Sequence, residues 1–115
     1  MALKTRIPSK ISRGSAELAI LALLEDQPLY GFEIARQIEA RSRGALRFTL
    51  ASLYPMLYGL EKRGWIKGRW AANRAGRDRR YYSLTPAGKK KLAPLRREWR
   101  AFFQALDRLA AVSRA

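Results

Sequence analysis

The 115-residue chain contains no cysteine and no histidine. This excludes disulfides, thiolate and imidazole metal ligands, cysteine and histidine nucleophiles, and the commonest general base. Acidic residues are also scarce, with 9 Asp and Glu against 24 Lys and Arg and a formal net charge of +15. Carboxylates so few and so scattered assemble into no acid, base and nucleophile constellation, so no catalysis, metal or cofactor is expected. Long apolar runs are missing too. The stretch Leu18 to Leu24 is far too short to span a bilayer, Glu25 and Asp26 follow it at once, and no small-x-small cleavage site appears. Neither a membrane span nor a secretory signal is expected, and the protein is read as cytoplasmic.

What is present is positive charge on a chain long enough for one domain and a modest core. Most of the basic residues are Arg, which pairs bidentately with phosphate and with guanine edges. The charge is also uneven. Residues 14–40 hold Glu17, Glu25, Asp26, Glu33 and Glu39 against Arg36 alone, whereas Asp78 is the one acid between Lys62 and Arg80, and Glu98 the one acid between Lys89 and Arg100. A polyanion is the natural partner of a chain charged on one side.

Caps and breakers divide the sequence. A basic arm over residues 1–14 precedes a first helix from about Ser15, read as its N-cap, to Glu25, with Leu18, Leu21 and Ala22 inward and Pro28 marking the turn after it. The segment YGFEIARQIEARS reads as a second helix with Ile34, Ala35 and Ile38 inward, stopping near Gly44. Thr49 opens a third helix that closes at Gly64. Strands are expected at about Trp65 to Ala71 and Arg79 to Leu84, joined by a turn from Asn73 to Asp78, and Thr85 with Pro86 opens a last helix. The fold class is therefore mainly α with a small β-hairpin: a winged helix-turn-helix over residues 15–85 and a C-terminal dimerisation helix over residues 86–112.

The third helix has two faces. At about 100° per residue, Leu50, Leu53, Leu57 and Leu60 share one sector and should pack inward. Ala51, Ser52, Pro55, Tyr58, Gly59 and Lys62 lie opposite, with Tyr54 at the boundary. Small residues on that face let a helix sit deep in a DNA groove while Ser52, Tyr54 and Tyr58 reach outward and Lys62 meets a phosphate. The bland alternative is a merely solvated face. Pro55 removes a backbone hydrogen bond inside this helix and implies a kink. The hairpin alternates as a half-buried wing, with Ile66 in, Lys67 and Arg69 out, and Leu84 on the face of Tyr82. Its tip carries Arg74, Arg77, Arg79 and Arg80 around Gly76, which suits phosphates or a minor groove better than an idle charged loop.

In the last helix Leu92, Leu95, Trp99, Phe102, Leu106 and Leu109 alternate at spacings of three and four, a seam for which so short a chain holds no expected partner. A second copy would cover it, so a homodimer on a palindromic double-stranded DNA operator is expected. Pro94 should kink this helix or restart it.

The blocks LAILALLEDQPLYGFEIARQI, ASLYPMLYGLEKRGWIKGRW and RRYYSLTPAGKKKL resemble the PadR family of transcriptional regulators over about residues 15 to 92, and the short tail resembles its small members with a single C-terminal helix. Tyr30 and Gly31, Leu53 to Pro55, and Arg80 to Thr85 occupy the family's motif positions. The resemblance implies a dimeric repressor that leaves its operator on meeting an effector. It also implies a site for a planar aromatic effector between subunits, for which Trp99, Phe102 and Phe103 are the candidates, plain interface core being the other reading of those rings. The alternative for the whole chain is a non-specific basic nucleic-acid protein, RNA-associated or nucleoid, which would need no symmetric seam.

Overall fold

A computed structural model of the chain describes residues 9–72, 75–76 and 78–111. The elements run α1 (Ser9–Asp26), β1 (Leu29–Tyr30), α2 (Gly31–Arg41), α3 (Leu50–Lys62), β2 (Ile66–Ala72), β3 (Asp78–Leu84) and α4 (Pro86–Ala110). Helix α1 buries Ala16, Ile20, Leu21, Leu23 and Leu24, a stripe at helical spacing, while Leu18 and Ala22 only border the core. It starts well before Ser15, which lies inside the helix and is not its cap. The expected arm is thus helical from Ser9, and residues 1–8 lie outside the described residues.

Helix α2 buries Ile34 and Ile38, and the turn after it is wired by one hydroxyl. Ser42 Oγ accepts from the Leu46 N–H at 2.9 Å and donates toward carbonyls of Leu46 and Glu39. Helix α3 begins where Thr49 Oγ1 accepts the Ser52 N–H at 3.1 Å. It ends in a Schellman motif: Trp65 N–H donates to the Leu60 carbonyl at 3.0 Å and Gly64 N–H to that of Glu61 at 2.9 Å, with Gly64 at φ +80°. Leu53, Leu57 and Leu60 are fully buried, whereas Leu50, expected inward, is 37% exposed because it sits on the first turn beyond the core.

The sheet has the order β1-β3-β2, all antiparallel, with Ile66 opposite Leu84, Gly68 opposite Tyr82, Trp70 opposite Arg80 and Ala72 opposite Asp78. The two-residue β1, unforeseen in the sequence, adds Tyr30 opposite Tyr81. Helix α4 is bolted to the end of α3. Thr85 Oγ1 donates to the Gly64 carbonyl at 2.6 Å and accepts the Gly88 N–H at 3.0 Å, and Pro86 takes the first helical position.

Two expectations for α4 need correction. The helix is continuous through Pro94 and does not restart there; the N–H that proline lacks would have met the carbonyl of Lys90, an exposed residue open to solvent. The same holds for Pro55, whose would-be partner carbonyl is that of the exposed Ala51. The first half of the seam, moreover, has a partner within the chain. Leu92 is 1% exposed in the protomer's own core and Leu95 packs against that core, because α4 runs back along α1. Trp99 continues this packing over Gly14, at which an added Cβ would lie 3.0 Å from the indole. Only beyond Trp99 does the seam open, with Phe102, Phe103 and Leu109 exposed and Leu106 half-buried.

Candidate nucleic-acid interface

Helix α3 and the hairpin β2-β3 present one continuous surface. On α3, Ser52, Tyr54, Tyr58 and Lys62 are all exposed as expected, and Tyr58 is 67% accessible with the Lys62 ammonium 6.0 Å from its ring centre. Two of these groups are less free than their exposure suggests. Ser52 Oγ donates to the Thr49 carbonyl at 3.0 Å, so it must rotate away from the cap to meet a base. The Tyr54 ring lies on Gly31 at the start of α2, where a Cβ would come within 2.8 Å of Tyr54 Cε1 and its hydroxyl. That close approach is the physical reason for a glycine after Tyr30, and it sets the distance between the two helices.

The hairpin divides its charges between two faces. Alternation puts Lys67, Arg69 and Arg79 on one face, where the Arg79 guanidinium lies 4.3 Å from the centre of the Tyr30 ring. Arg80 lies on the other, toward α3. Its Nη2 donates to Glu61 Oε2, which also accepts the Gly68 N–H at 3.2 Å. Gly68 supplies the room: a Cβ there would sit 2.5 Å from Arg80 Nε. Arg80 is therefore a strut between the wing and α3, which removes it from the freely available phosphate ligands expected at the tip. Arg74 and Arg77 lie outside the described residues. Between α3 and the wing, Tyr54, Tyr58, Glu61, Lys62, Arg80 and Tyr82 line a cleft of about 550 Å³. Burial pushes the Tyr82 hydroxyl above its ordinary value of 10.0, so it stays protonated beside Arg80.

The acidic segment does not make an acidic side. Glu17 pairs with Arg63 at 2.9 Å, Glu25 with Arg96 at 2.8 Å, Glu39 with Arg47 at 3.0 Å and Glu61 with Arg80. These pairs neutralise arginines around the body of the fold. Among the described residues of the α3 and wing surface, Lys62, Lys67, Arg69 and Arg79 have no such carboxylate partner, a condition they share with most lysines and arginines of α4.

Residues 20–94 match the transcriptional regulator PadR-like family. The chain belongs to that family. Among solved structures, a transcriptional regulator from Clostridium thermocellum superposes with a TM-score of 0.81 at 28% identity, covering 91% of this chain and 99% of the other. A PadR family transcription regulator from Clostridium difficile gives 0.73 at 28% identity, covering 82% and 96%. An uncharacterised protein of Lysinibacillus sphaericus is 32% identical over 101 residues, covering 88% of this chain and 93% of its own length. As a PadR-like transcription regulator, this chain uses a winged helix whose α3 and wing form one surface suited to DNA. No helix among the described residues is long and apolar enough to cross a membrane.

Three residues of this PadR-like surface are not evident from the sequence: Glu61, Gly68 and Trp70. Glu61 reads as an ordinary charge in the last turn of a helix. Gly68 reads as a weak spot in a strand, although a glycine inside a strand is itself a signal of close approach by another group. Trp70 alternates in phase with Ile66 and so belongs with the core, yet it is 63% exposed because α3 covers that sheet face only as far as Gly68.

Proposed function

We propose that this PadR-like regulator is a homodimeric, sequence-specific repressor that reads a palindromic operator. The observation that carries the reading is the placement of a small-residue, tyrosine-bearing face of α3 beside a wing whose Lys67, Arg69 and Arg79 have no carboxylate partner, in a molecule whose last helix leaves Phe102, Phe103 and Leu109 uncovered. In this reading Ser52, Tyr54 and Tyr58 face base edges, while Lys62, Arg79 and the tip residues Arg74 and Arg77 bind phosphates. Two-fold symmetry sets the paired α3 helices on half-sites about 34 Å apart, or a multiple of that. The test is selection of bound duplexes from a random pool. A palindromic consensus with that spacing supports the repressor, and binding without any consensus supports a non-specific nucleic-acid protein.

Release by an effector is the finer part of the proposal. Trp99 meets Phe102 edge-on at 5.7 Å and Phe103 at 5.7 Å, and the rings end the part of α4 covered by its own protomer. A planar aromatic ligand there would act only by preferring one dimer geometry to another. Trp99→Ala should then abolish the effector response and leave operator binding largely intact. If no compound that dissociates the DNA complex quenches Trp99 emission in a Trp65→Phe, Trp70→Phe background, these rings are interface core alone.

A further inference from the structure

Among the described residues of the wing, Trp70 is the large apolar ring held out to solvent near the tip, 63% exposed in a strand that also carries Arg69 and faces Arg80. Its position follows from the register. Ile66, Gly68 and Trp70 share a face of β2, and Tyr82 and Arg80 share it across the ladder on β3. Helix α3 covers this face up to Gly68, where Glu61 takes both the Gly68 N–H and Arg80. The next residue on the same face is Trp70, which projects past the end of the cover on the side of the wing that faces α3.

Arg80 shapes the surroundings of the ring. Its guanidinium lies 5.8 Å from the Trp70 ring centre and 5.8 Å from that of Tyr82, and its charge is matched by Glu61. The cations without a carboxylate partner, Lys67, Arg69 and Arg79, belong to the opposite face, where Arg79 lies over the Tyr30 ring. Trp70 thus makes a neutral, apolar spot, steadied by a paired arginine, on a wing otherwise charged for phosphate. A duplex that takes α3 in its major groove would receive the wing edge-on in the adjoining minor groove, with Lys67, Arg69 and Arg79 turned to one wall and Trp70 to the other. An indole carries no charge with which to attract a phosphate, but it packs against deoxyribose, and its one N–H is a donor that matches the A N3 and T O2 acceptors of the minor groove. The G amino group would block the same approach.

We propose that Trp70 is a specificity-determining contact of the wing, lying in the minor groove beside each α3 half-site and favouring A·T pairs there. The proposal rests on the DNA-binding reading above. It separates two kinds of wing residue: arginines that give affinity sensitive to salt, and one tryptophan that gives affinity insensitive to salt and dependent on the flanking sequence.

The experiment uses the full chain and the duplex enriched from the random pool, prepared with A·T and with G·C pairs flanking the half-sites. Trp70→Ala should bind the A·T-flanked duplex at least tenfold more weakly than wild type, with the same slope of log K against log salt, and should bind both flanks alike. In a Trp65→Phe, Trp99→Phe background, Trp70 emission should become shielded from acrylamide when duplex is added. Trp70→Ala affinity within twofold of wild type, a changed salt slope, or unshielded emission each overturns the proposal and leaves the DNA-binding reading standing. Emission that instead varies with protein concentration in the absence of DNA assigns Trp70 to a contact between copies and overturns it as well. A wild-type protein that enriches no duplex overturns both readings together.

Discussion

Replacing Gly68 by alanine sets two effects of opposite sign against each other. Gly68 lies in an ordinary strand conformation, with no left-handed φ, so alanine can adopt its backbone angles. Taken alone, the change narrows the unfolded ensemble and should stabilise the protein by about 0.4–1 kcal/mol. The added Cβ, however, lies 2.5 Å from Arg80 Nε and 2.6 Å from its Cζ and Nη2, roughly an ångström inside ordinary contact distance. The guanidinium is flexible and can retreat, but only by leaving Glu61. Both side chains of that pair are less than a third exposed, at 31% and 29%, so its charged hydrogen bond is weakened by solvent less than a surface pair would be. Losing it costs about 1.5–3 kcal/mol, and the net effect of Gly68→Ala is a destabilisation of roughly 1–2 kcal/mol.

The decisive comparison is the same substitution in an Arg80→Ala background. No guanidinium then opposes the Cβ, and Gly68→Ala should become neutral or stabilising, a coupling of about 2 kcal/mol between the two sites. Urea unfolding of the four proteins at one fixed concentration reads this directly, the fixed concentration being needed because association shifts apparent stability. An equal cost for Gly68→Ala in both backgrounds would refute the idea that glycine is there to admit Arg80.

Gly88→Ala should be far worse, because its Cβ would run into the Trp65 backbone carbonyl oxygen, and backbone cannot step aside. A loss above about 3 kcal/mol is expected in the same assay, whereas Gly59→Ala, with nothing within 4 Å, should stabilise α3 by up to about 1 kcal/mol. Phe103→Asp with Leu109→Asp should give folded monomers in sedimentation that bind operator weakly; a change at Leu92 would first disturb the protomer's own core, against which Leu95 also packs. Arg74→Ala, Arg77→Ala and Arg79→Ala together should weaken binding to all duplexes and flatten the salt dependence by about one unit for each phosphate no longer neutralised, whereas substitutions at Ser52 or Tyr58 should change sequence preference. A salt slope left untouched would remove the wing arginines from the phosphate clamp.

What could be read from the sequence is what local chemistry decides. Thr49, Gly64, Thr85 and Pro86 act within a few residues of themselves, and each stands where its cap or turn was expected. The failures share the opposite property. Ser15 looks like a cap, but α1 continues back past Gly14, over which Trp99 of α4 packs. Strand β1 exists only because β3 is there to pair with it. The heptad pattern of α4 is genuine, yet periodicity says only that a face is apolar, not whether α1 or another molecule covers it. Arg80 shows the same limit in charge: arginines look alike in a run, and only the fold draws one of them onto Glu61, 19 residues away in sequence.

The way α4 is fastened has a consequence for regulation. Its first half moves with the DNA-binding body, being tied through Thr85 to Gly64, through Leu92 to the core and through Arg96 to Glu25 at the end of α1. In a dimer held by the distal half, α4 becomes a lever of 25 residues, about 37 Å long, so a tilt of a few degrees shifts α3 by roughly the rise of one base pair. The Glu25–Arg96 pair is the exposed link in that fastening. The hydrogen bond from Arg96 holds the Glu25 carboxyl below its ordinary value of 4.5 and raises Arg96 in turn. A depressed carboxylate contributes stability that is present above its unfolded value and lost as pH falls through the lower folded value. The link is therefore intact at neutral pH and opens only in acid. Glu25→Gln should flatten the acid limb of the melting temperature against pH below about 4.5. At neutral pH the same variant should keep the salt slope of operator binding while relaxing the preferred spacing between half-sites, because the reading surface is untouched and only its tie to the lever has loosened. An acid limb and a spacing preference both identical to wild type would show that α4 is held by Leu92 and the α3 junction alone.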